Sequence, residues 1–375
     1  MISNAFGLIY TGENNPRLRD LTLSRAVAAV PFGGRYRCID FILSNLVNSG
    51  VTSVGLITQK NYHSLMDHLG AGKEWDLHRK REGLFMLPPF MTKENTGLYR
   101  GSVDALRSCL GYVRRCSEQY VILTGSHTIY NTTFSDMLER HIETGADMTI
   151  LYNEETREFD PEDQNKDLRL LLDGDGRIVD LEINPAHPTS PFKSCDAMIL
   201  DKSLLEYYVE DAYARGDYDF VRDVLVKRHG QIKAYGYRYD GVVIRLDSVK
   251  SFYEGNFALL DPAVRDDLFN PDTPIYTKVK DEVSARYGAN ASVRNAMLAD
   301  GCSIDGTVEN SVLFRGVTVG KGSVIRDSII MQGVVIGEDC RLDHVILDKG
   351  VTIRAGRTLI GYDSFPIILK KNTTV

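Results

Sequence analysis

Apolar positions in the first part of the chain come as short runs and helical stripes that alternate. Residues 5–10 are a short apolar run of the kind that makes a buried strand, and residues 51–58 and 120–124 repeat that signature. Residues 41–49 and 103–118 instead carry apolar side chains at helical spacing. A further helix is expected near 134–144, before a strand at 148–153. This rhythm predicts an α/β domain with a mostly parallel sheet. Ligands on such sheets bind beyond the carboxyl ends of the strands. Residues 247–260 have the pattern of one more amphipathic helix. Pro262, Pro271 and Pro274 punctuate the polar stretch after it, which reads as an interdomain linker.

The C-terminal part repeats itself. Gly316, Gly333 and Gly350 are 17 residues apart, as are Val317, Val334 and Val351. Val319, Ile336 and Ile353 keep the step, and so do Val308, Ile325 and Leu342. Val312, Ile329 and Ile346 do as well, together with Leu313, Ile330 and Leu347. A period of 17 divides into three faces of about six residues, the pattern of a hexapeptide-type β-helix. Its aliphatic positions point inward, because one coil cannot bury a core alone. The alternative, a β-sandwich with regular turns, has no reason to hold six position classes to one period. The expected division is 1–247 for the α/β domain, 248–285 for a helix and Pro-containing linker, and 286–375 for the β-helix.

Composition narrows the class. The 375 residues suffice for about two domains, and 43% hydrophobic content is ordinary for a globular core. The formal charge of −7 is spread along the chain, with no patch suited to nucleic acid. Cys38, Cys109, Cys116, Cys195, Cys302 and Cys340 fit neither a zinc pattern nor a secreted disulfide framework, so reduced thiols are expected. No signal-peptide pattern opens the chain and no apolar stretch reaches the length of a membrane span. The expected location is cytoplasmic.

The first strand leads into Tyr10-Thr11-Gly12-Glu13-Asn14-Asn15-Pro16-Arg17-Leu18. Then come Arg25-Ala26-Val27-Ala28-Ala29-Val30-Pro31-Phe32-Gly33-Gly34-Arg35-Tyr36-Arg37, Ile39-Asp40-Phe41, Leu43-Ser44-Asn45 and Asn48-Ser49-Gly50. On these residues the chain resembles the glucose-1-phosphate adenylyltransferase (ADP-glucose pyrophosphorylase) family over nearly its whole length. The resemblance implies a nucleotidyltransferase-type, Rossmann-like α/β domain followed by a left-handed parallel β-helix. It implies a reaction in which ATP and glucose 1-phosphate give ADP-glucose and pyrophosphate with magnesium. It also implies tetramers under allosteric control.

Carried over residue by residue, the resemblance implies a degenerate pocket. Of the glycines in the family's first loop, GGxGxRL, only Gly12 remains here, and Arg17 is kept. Glu13 and Asn15 stand at the other glycines, where backbone N–H groups would approach a triphosphate, so a surface turn is expected. The family's Lys-Pro pair is Val27-Ala28. Tyr99-Arg100-Gly101-Ser102-Val103-Asp104-Ala105 matches the family's Tyr-x-Gly-Thr-Ala-Asp-Ala, and either residual nucleotide binding or a helix start that holds the fold explains it. The first metal aspartate, in Gly-Asp-His, is replaced by Ser126. The second aligns with Arg245, Asp240 being the other candidate. Magnesium needs hard anionic oxygen, and a guanidinium cannot supply it. The lysine that contacts the sugar phosphate is Asn184, Ser194 and Asp196 lie in the altered Ser-Met-Gly, and Asp219-Phe220 survives from Asp-Phe-Gly.

These changes converge on phosphate charge, which phosphoryl-type transfer depends on. They resemble the D-type subunits found beside catalytic C-type subunits. The expectation is a regulatory, catalytically impaired subunit that holds no metal itself, magnesium belonging to the catalytic partner in a mixed tetramer. A homo-oligomer is also possible. Arg25 and Arg37 match positions where family activators bind, and a phosphorylated effector or a subunit contact would each explain them. Two other readings remain: an active nucleotidyltransferase with rearranged metal ligands, and a metabolite-sensing binding module. Neither nucleic acid nor membrane is an expected partner.

Overall fold

The computed structural model describes residues 4–12, 15–89, 98–155 and 167–375, so Glu13 lies outside the described residues. The first apolar run becomes β1 (Ala5–Tyr10), followed by a 3-10 segment, Pro16–Thr22. A short hairpin of β2 (Pro31–Phe32) and β3 (Tyr36–Arg37) feeds α1 (Cys38–Asn48), whose start is fixed by Asp40 accepting from the Arg37 amide at 3.0 Å. Then come β4 (Ser53–Ile57), α2 (His63–Leu69) and β5 (Gly83–Leu87). The stripe at 103–118 is two helices, α3 (Ser102–Ser108) and α4 (Leu110–Arg115). Ser108 Oγ donates back to the Ala105 carbonyl at 2.7 Å, a competing bond that loosens the ladder where the helix breaks at Cys109.

The chain continues through β6 (Tyr120–Thr124), β7 (Thr128–Ile129), α5 (Ser135–Thr144), β8 (Met148–Glu154), β9 (Leu168–Leu172), β10 (Ile178–Ile183) and β11 (Phe192–Asp201). It closes with α6 (Lys202–Ala214), β12 (Ala234–Arg238), β13 (Ile244–Arg245), α7 (Val249–Ala258) and α8 (Pro262–Leu268). The main sheet runs β10-β9-β11-β6-β1-β4-β5, with β8 joining β11 and carrying β12. It is parallel around β1, as the strand–helix rhythm anticipates. Around β11 it is antiparallel to β6, β8 and β9, a half that the rhythm does not reveal.

The linker expectation needs one correction. Pro262 is not a breaker but opens α8, where a missing N–H costs nothing, and Asp261 caps the turn by accepting from the Ala263 amide. The stretch beyond is fastened to α1: Asn48 Nδ2 donates to the Pro274 carbonyl, the Tyr276 amide to Ser44 Oγ, and Thr277 Oγ1 to Asp40.

The 17-residue repeat becomes a parallel ladder. Val308 pairs with Ile325 and Ile325 with Leu342, while Val312, Ile329 and Ile346 stack in a second row. The first coil is shorter, since Val293 pairs with Val308, which is why the repeat begins only there.

One apolar core spans both halves of the chain. Phe32, Phe41 and Phe252 meet Val312, Phe314, Ile329 and Met331 of the β-helix. Beside it Arg25, 4% exposed, makes a bidentate pair with Asp348 at 2.6 and 2.8 Å. Removing one partner of such a pair strands a buried charge. Arg25→Met should therefore destabilise the chain by about 3–5 kcal/mol in denaturant titration, and Arg25→Met with Asp348→Leu should recover much of the loss.

Candidate functional site

A cavity of about 290 Å³ opens beyond the carboxyl ends of β1 and β6. Among the residues expected at the site, Gly12, Gly101, Asn184, Ser194, Asp219 and Arg245 line it. Gly101 is required by its neighbour, because a Cβ there would stand 2.2 Å from the Tyr218 carbonyl oxygen. Asp219 caps the following helical turn by accepting from the Arg222 amide at 2.9 Å. Asn184 adopts a left-handed φ of 47° and exchanges two 2.8 Å bonds with Asp167, its amide donating to the Asp167 carbonyl and its Oδ1 accepting from the Asp167 amide.

The other expected residues fall elsewhere. Tyr99 borders a neighbouring cleft with Gln59 and Arg25, its hydroxyl hydrogen-bonded to Ser108 Oγ at 2.8 Å and its carbonyl accepting from Gln59. Asp104 accepts from the Arg100 amide and guanidinium at the start of α3. Both residues thus serve the helix start. Arg17 sits half-buried in the 3-10 segment and does not border the cavity. Asn15, expected on a surface turn, is 3% exposed. It caps that segment through the Arg17 amide, and its Nδ2 donates 2.7 Å to the Asp247 carbonyl. Asn15 is therefore fastened to the backbone at Asp247, at a place where a glycine loop would wrap phosphate.

The two family metal positions can be tested for fit. Ser126 is 1% exposed and its Oγ has no hydrogen-bond partner among the described residues. Arg245 pairs with Thr128 across β13 and β7, so its backbone position is set by the sheet. Its guanidinium donates to Asn153 Oδ1 at 2.5 Å and the Ser194 carbonyl at 3.0 Å, and lies 3.5 Å from Glu155. A lone hydroxyl and a fixed guanidinium do not fit magnesium. Two carboxylates do stand nearby. Asp196, turned inward by a bulge in β11, lies 3.2 Å from His127 Nδ1, and Asp247 lies 3.8 Å from His127 Nε2. They meet opposite nitrogens of one ring, so the imidazole stands between them. Asp240 is exposed and bonded to Arg238, outside the cavity lining. Among the described residues, the compact cluster of carboxylate and imidazole groups is Asp327, Asp343 and His344, on the β-helix.

Sequence reasoning missed Lys193. It lines the cavity from β11, 8% exposed and 3.7 Å from Asp167, and burial together with Arg245 pushes its pKa down. Nothing in its local sequence marks it. Only the pairing of Lys193 with Arg169 of β9 brings it to Asp167 and Asn184.

A second cleft of about 160 Å³ lies between the domains and is lined by Arg35, Arg37, Lys278, Lys280, Arg315 and Lys349. Arg37 donates to the Ser64 carbonyl and hydroxyl at 2.6 and 3.0 Å. Arg315 is 6% exposed, and its Nε has no hydrogen-bond partner among the described residues. Burial, with Arg37, Arg25 and Lys280 adding repulsion, pushes Lys349 down to about 7. Asp67 also faces the cleft, and His68 at its edge is bonded to Asp40. Arg25, paired with Arg37 in the sequence expectation, is closed off by Asp348 and does not line this cleft. Among the described residues no helix is long and apolar enough to cross a membrane.

Comparison with known proteins fits this geometry. Residues 6–241 match the nucleotidyl transferase family and residues 280–365 the GlmU-like C-terminal hexapeptide family. The glycogen biosynthesis protein GlgD of Bacillus subtilis is 38% identical over 94% of this chain and 92% of its own length. GlgD of Geobacillus stearothermophilus is 39% identical, covering 87% of this chain and 84% of that protein. The glucose-1-phosphate adenylyltransferase of Thermotoga neapolitana is 33% identical, covering 87% and 77%. With a nucleotidyl transferase domain, hexapeptide coils and these relatives along nearly its whole length, the chain belongs to the glucose-1-phosphate adenylyltransferase family that includes the GlgD proteins of glycogen biosynthesis.

Proposed function

We propose that the chain is a cytoplasmic, regulatory and catalytically impaired subunit of a glucose-1-phosphate adenylyltransferase. It assembles with a catalytic partner that makes ADP-glucose from ATP and glucose 1-phosphate for glycogen. One observation carries this reading: where the family holds magnesium on two carboxylates, this chain has the buried neutral Ser126 and the ion-paired Arg245. Metal polarisation contributes several kcal/mol to such transfers, and each ~1.36 kcal/mol is tenfold in rate. Magnesium then acts only in the partner's site. The GlgD relatives support the link to glycogen synthesis.

The interdomain cleft supports the regulatory half of the reading. Six basic side chains converge there, and an anion would relieve their mutual repulsion. The expected ligand is a phosphorylated metabolite, held by Arg37 with Arg35, Arg315, Lys278, Lys280 and Lys349.

Purified alone with ATP, glucose 1-phosphate and magnesium, the chain should release no pyrophosphate. Co-expressed with a catalytic subunit, it should co-purify as a mixed oligomer and change the partner's rate or effector response. Turnover by the isolated chain at the rate of an ordinary family enzyme would reject the reading.

Lys349 adds a pH signature. Its pKa falls from 10.5 when free to about 7 in the fold, so the folded chain binds fewer protons through that window. The contribution of this group to stability therefore rises with pH from about 7 upward. A bound anion favours the protonated lysine and reverses the trend. Sulfate, whose charge is constant here, should raise the melting temperature more at pH 6.5 than at pH 8.5. Lys349→Arg should flatten that difference.

A further inference from the structure

The cleft between the domains gathers six basic side chains, and among the described residues Asp67 is the one carboxylate that lines it. That carboxylate is 68% exposed and 3.3 Å from His63 Nδ1, so solvent screens it. Three of the six cations are lysines, and they differ. Lys278 is half-buried and donates to the Asp67 carbonyl. Lys280 is exposed. Lys349 is half-buried, and among the described residues its Nζ makes no hydrogen bond or ion pair. Its chain neighbour Asp348 is already engaged: both carboxylate oxygens accept from Arg25, and Oδ1 also accepts from the Lys349 amide at 2.7 Å. On the other side the Lys349 carbonyl accepts from the Asn372 amide at 2.9 Å. The β-helix thus holds the backbone of Lys349 in place at the edge of the cleft.

Such an amine has two ways to shed its charge. It can lose a proton, and burial with Arg37, Arg25 and Lys280 already draws its pKa down to about 7. A neutral lysine beside other cations is a nucleophile, which an ammonium is not. It can also acquire a negative charge, because the cations that repel an ammonium attract a carboxylate on the same nitrogen. Carbon dioxide turns an amine into an anion in one step and is small enough for a cleft of about 160 Å³. Arg315, buried and with its Nε unpartnered among the described residues, adds a free donor to the same lining.

We propose that Lys349 is a carbamylation site, reacting reversibly with carbon dioxide to give a carbamate held by Arg37 and Lys280. The Nζ lone pair attacks the carbon of carbon dioxide. One N–C bond forms, one C–O π bond becomes an electron pair on the carboxylate, and the proton leaves the nitrogen for water. Nothing is oxidised or reduced. The proposal rests on the reading of this cleft as an anion site and adds a regulator to it. A carbamate consumes the amine and cancels positive charge, so carbon dioxide opposes the phosphorylated ligand.

Trapping on the full chain tests it. The protein is equilibrated with isotope-labelled bicarbonate at about pH 7.5, treated with a trialkyloxonium salt that converts carbamates to stable esters, and mapped by peptide mass spectrometry. A labelled ester on Lys349 is expected. It should vanish in Lys349→Arg and fall about tenfold in Arg37→Gln, which removes a charge-assisted bond. Bicarbonate should also reduce the melting-temperature gain from sulfate in the natural chain and not in Lys349→Arg. A sulfate gain that persists in Lys349→Arg shows that this variant folds with its cleft intact. Label on the α-amine of an added peptide, whose pKa is about 7.7–8.0, with none on Lys349 would overturn the proposal. Antagonism of sulfate by bicarbonate that survives in Lys349→Arg would mean simple ion competition and overturn it too. Both results leave the anion-site reading standing. Sulfate that stabilises nothing while Lys349 is labelled would overturn that reading and uphold the carbamate.

Discussion

A phosphate group can enter a protein only where something answers its charge, and the arrangement of that answer constrains the rest of this chain. A divalent ion held by carboxylates is removable and strongly polarising. A guanidinium built into a strand is permanent, and it can attract but cannot ligate a metal. Arg245 is of the second kind. Its backbone is fixed by pairing with Thr128, and its donors are fixed by Asn153 and Ser194. Around it, Glu155 lies 3.5 Å from the guanidinium, while Asp196 and Asp247 stand at opposite nitrogens of His127. An arginine at a position where the resemblance implies a metal-binding aspartate would therefore be a change of electrostatic design and not the loss of one ligand.

The fold supplies the positions. Parallel β1 and β6 end together at the cavity floor, while antiparallel β11 returns alongside β6 and carries Lys193, Ser194 and Asp196 to the same place. The bulge between Ser194 and Met198 gives Asp196 its φ of 58° and turns it toward His127. Asn15 then ties the first loop to the backbone at Asp247. That bond gives Asn15 a structural role at a position where the resemblance implies a glycine.

How much of this was legible in the sequence depends on the range of the interaction. The 17-residue repeat was fully readable because each coil pairs with its neighbour position by position, as Val312, Ile329 and Ile346 do. The strands of the parallel half were readable for the same local reason. The break at Cys109 was not, since it depends on Ser108 bonding backward to Ala105 and to the Tyr99 hydroxyl. Ser126 and Arg245 came from resemblance, each standing where the family is expected to carry an aspartate. Lys193 could not be found that way, because its role arises from the lateral register of β11 against β9. The cationic cleft was half legible: Arg37 lies in a recognisable segment, whereas Lys278, Lys280, Arg315 and Lys349 come from the linker and separate coils.

The two arginines named as effector ligands show why residue type alone does not settle function. Arg25 and Arg37 lie in one segment and both end up near the domain junction. Arg25 finds Asp348, a carboxylate as buried as itself, and both oxygens accept from one guanidinium nitrogen at 2.6 and 2.8 Å. Its charge is answered within the protein, so it holds the two domains together. Arg37 donates to the neutral oxygens of Ser64, with Asp40 and Asp67 among its charged neighbours and Lys280 and Lys349 in the same cleft. Among the described residues Arg37 bonds no carboxylate directly, and Arg315 in the same cleft keeps an Nε without a hydrogen-bond partner. Buried cations that the fold leaves short of anions are costly unless a ligand supplies one. If the cleft takes an anion as proposed, the distinction between a strut and a binding residue is made by the partner across the domain boundary, and Asp348 is the residue that makes it.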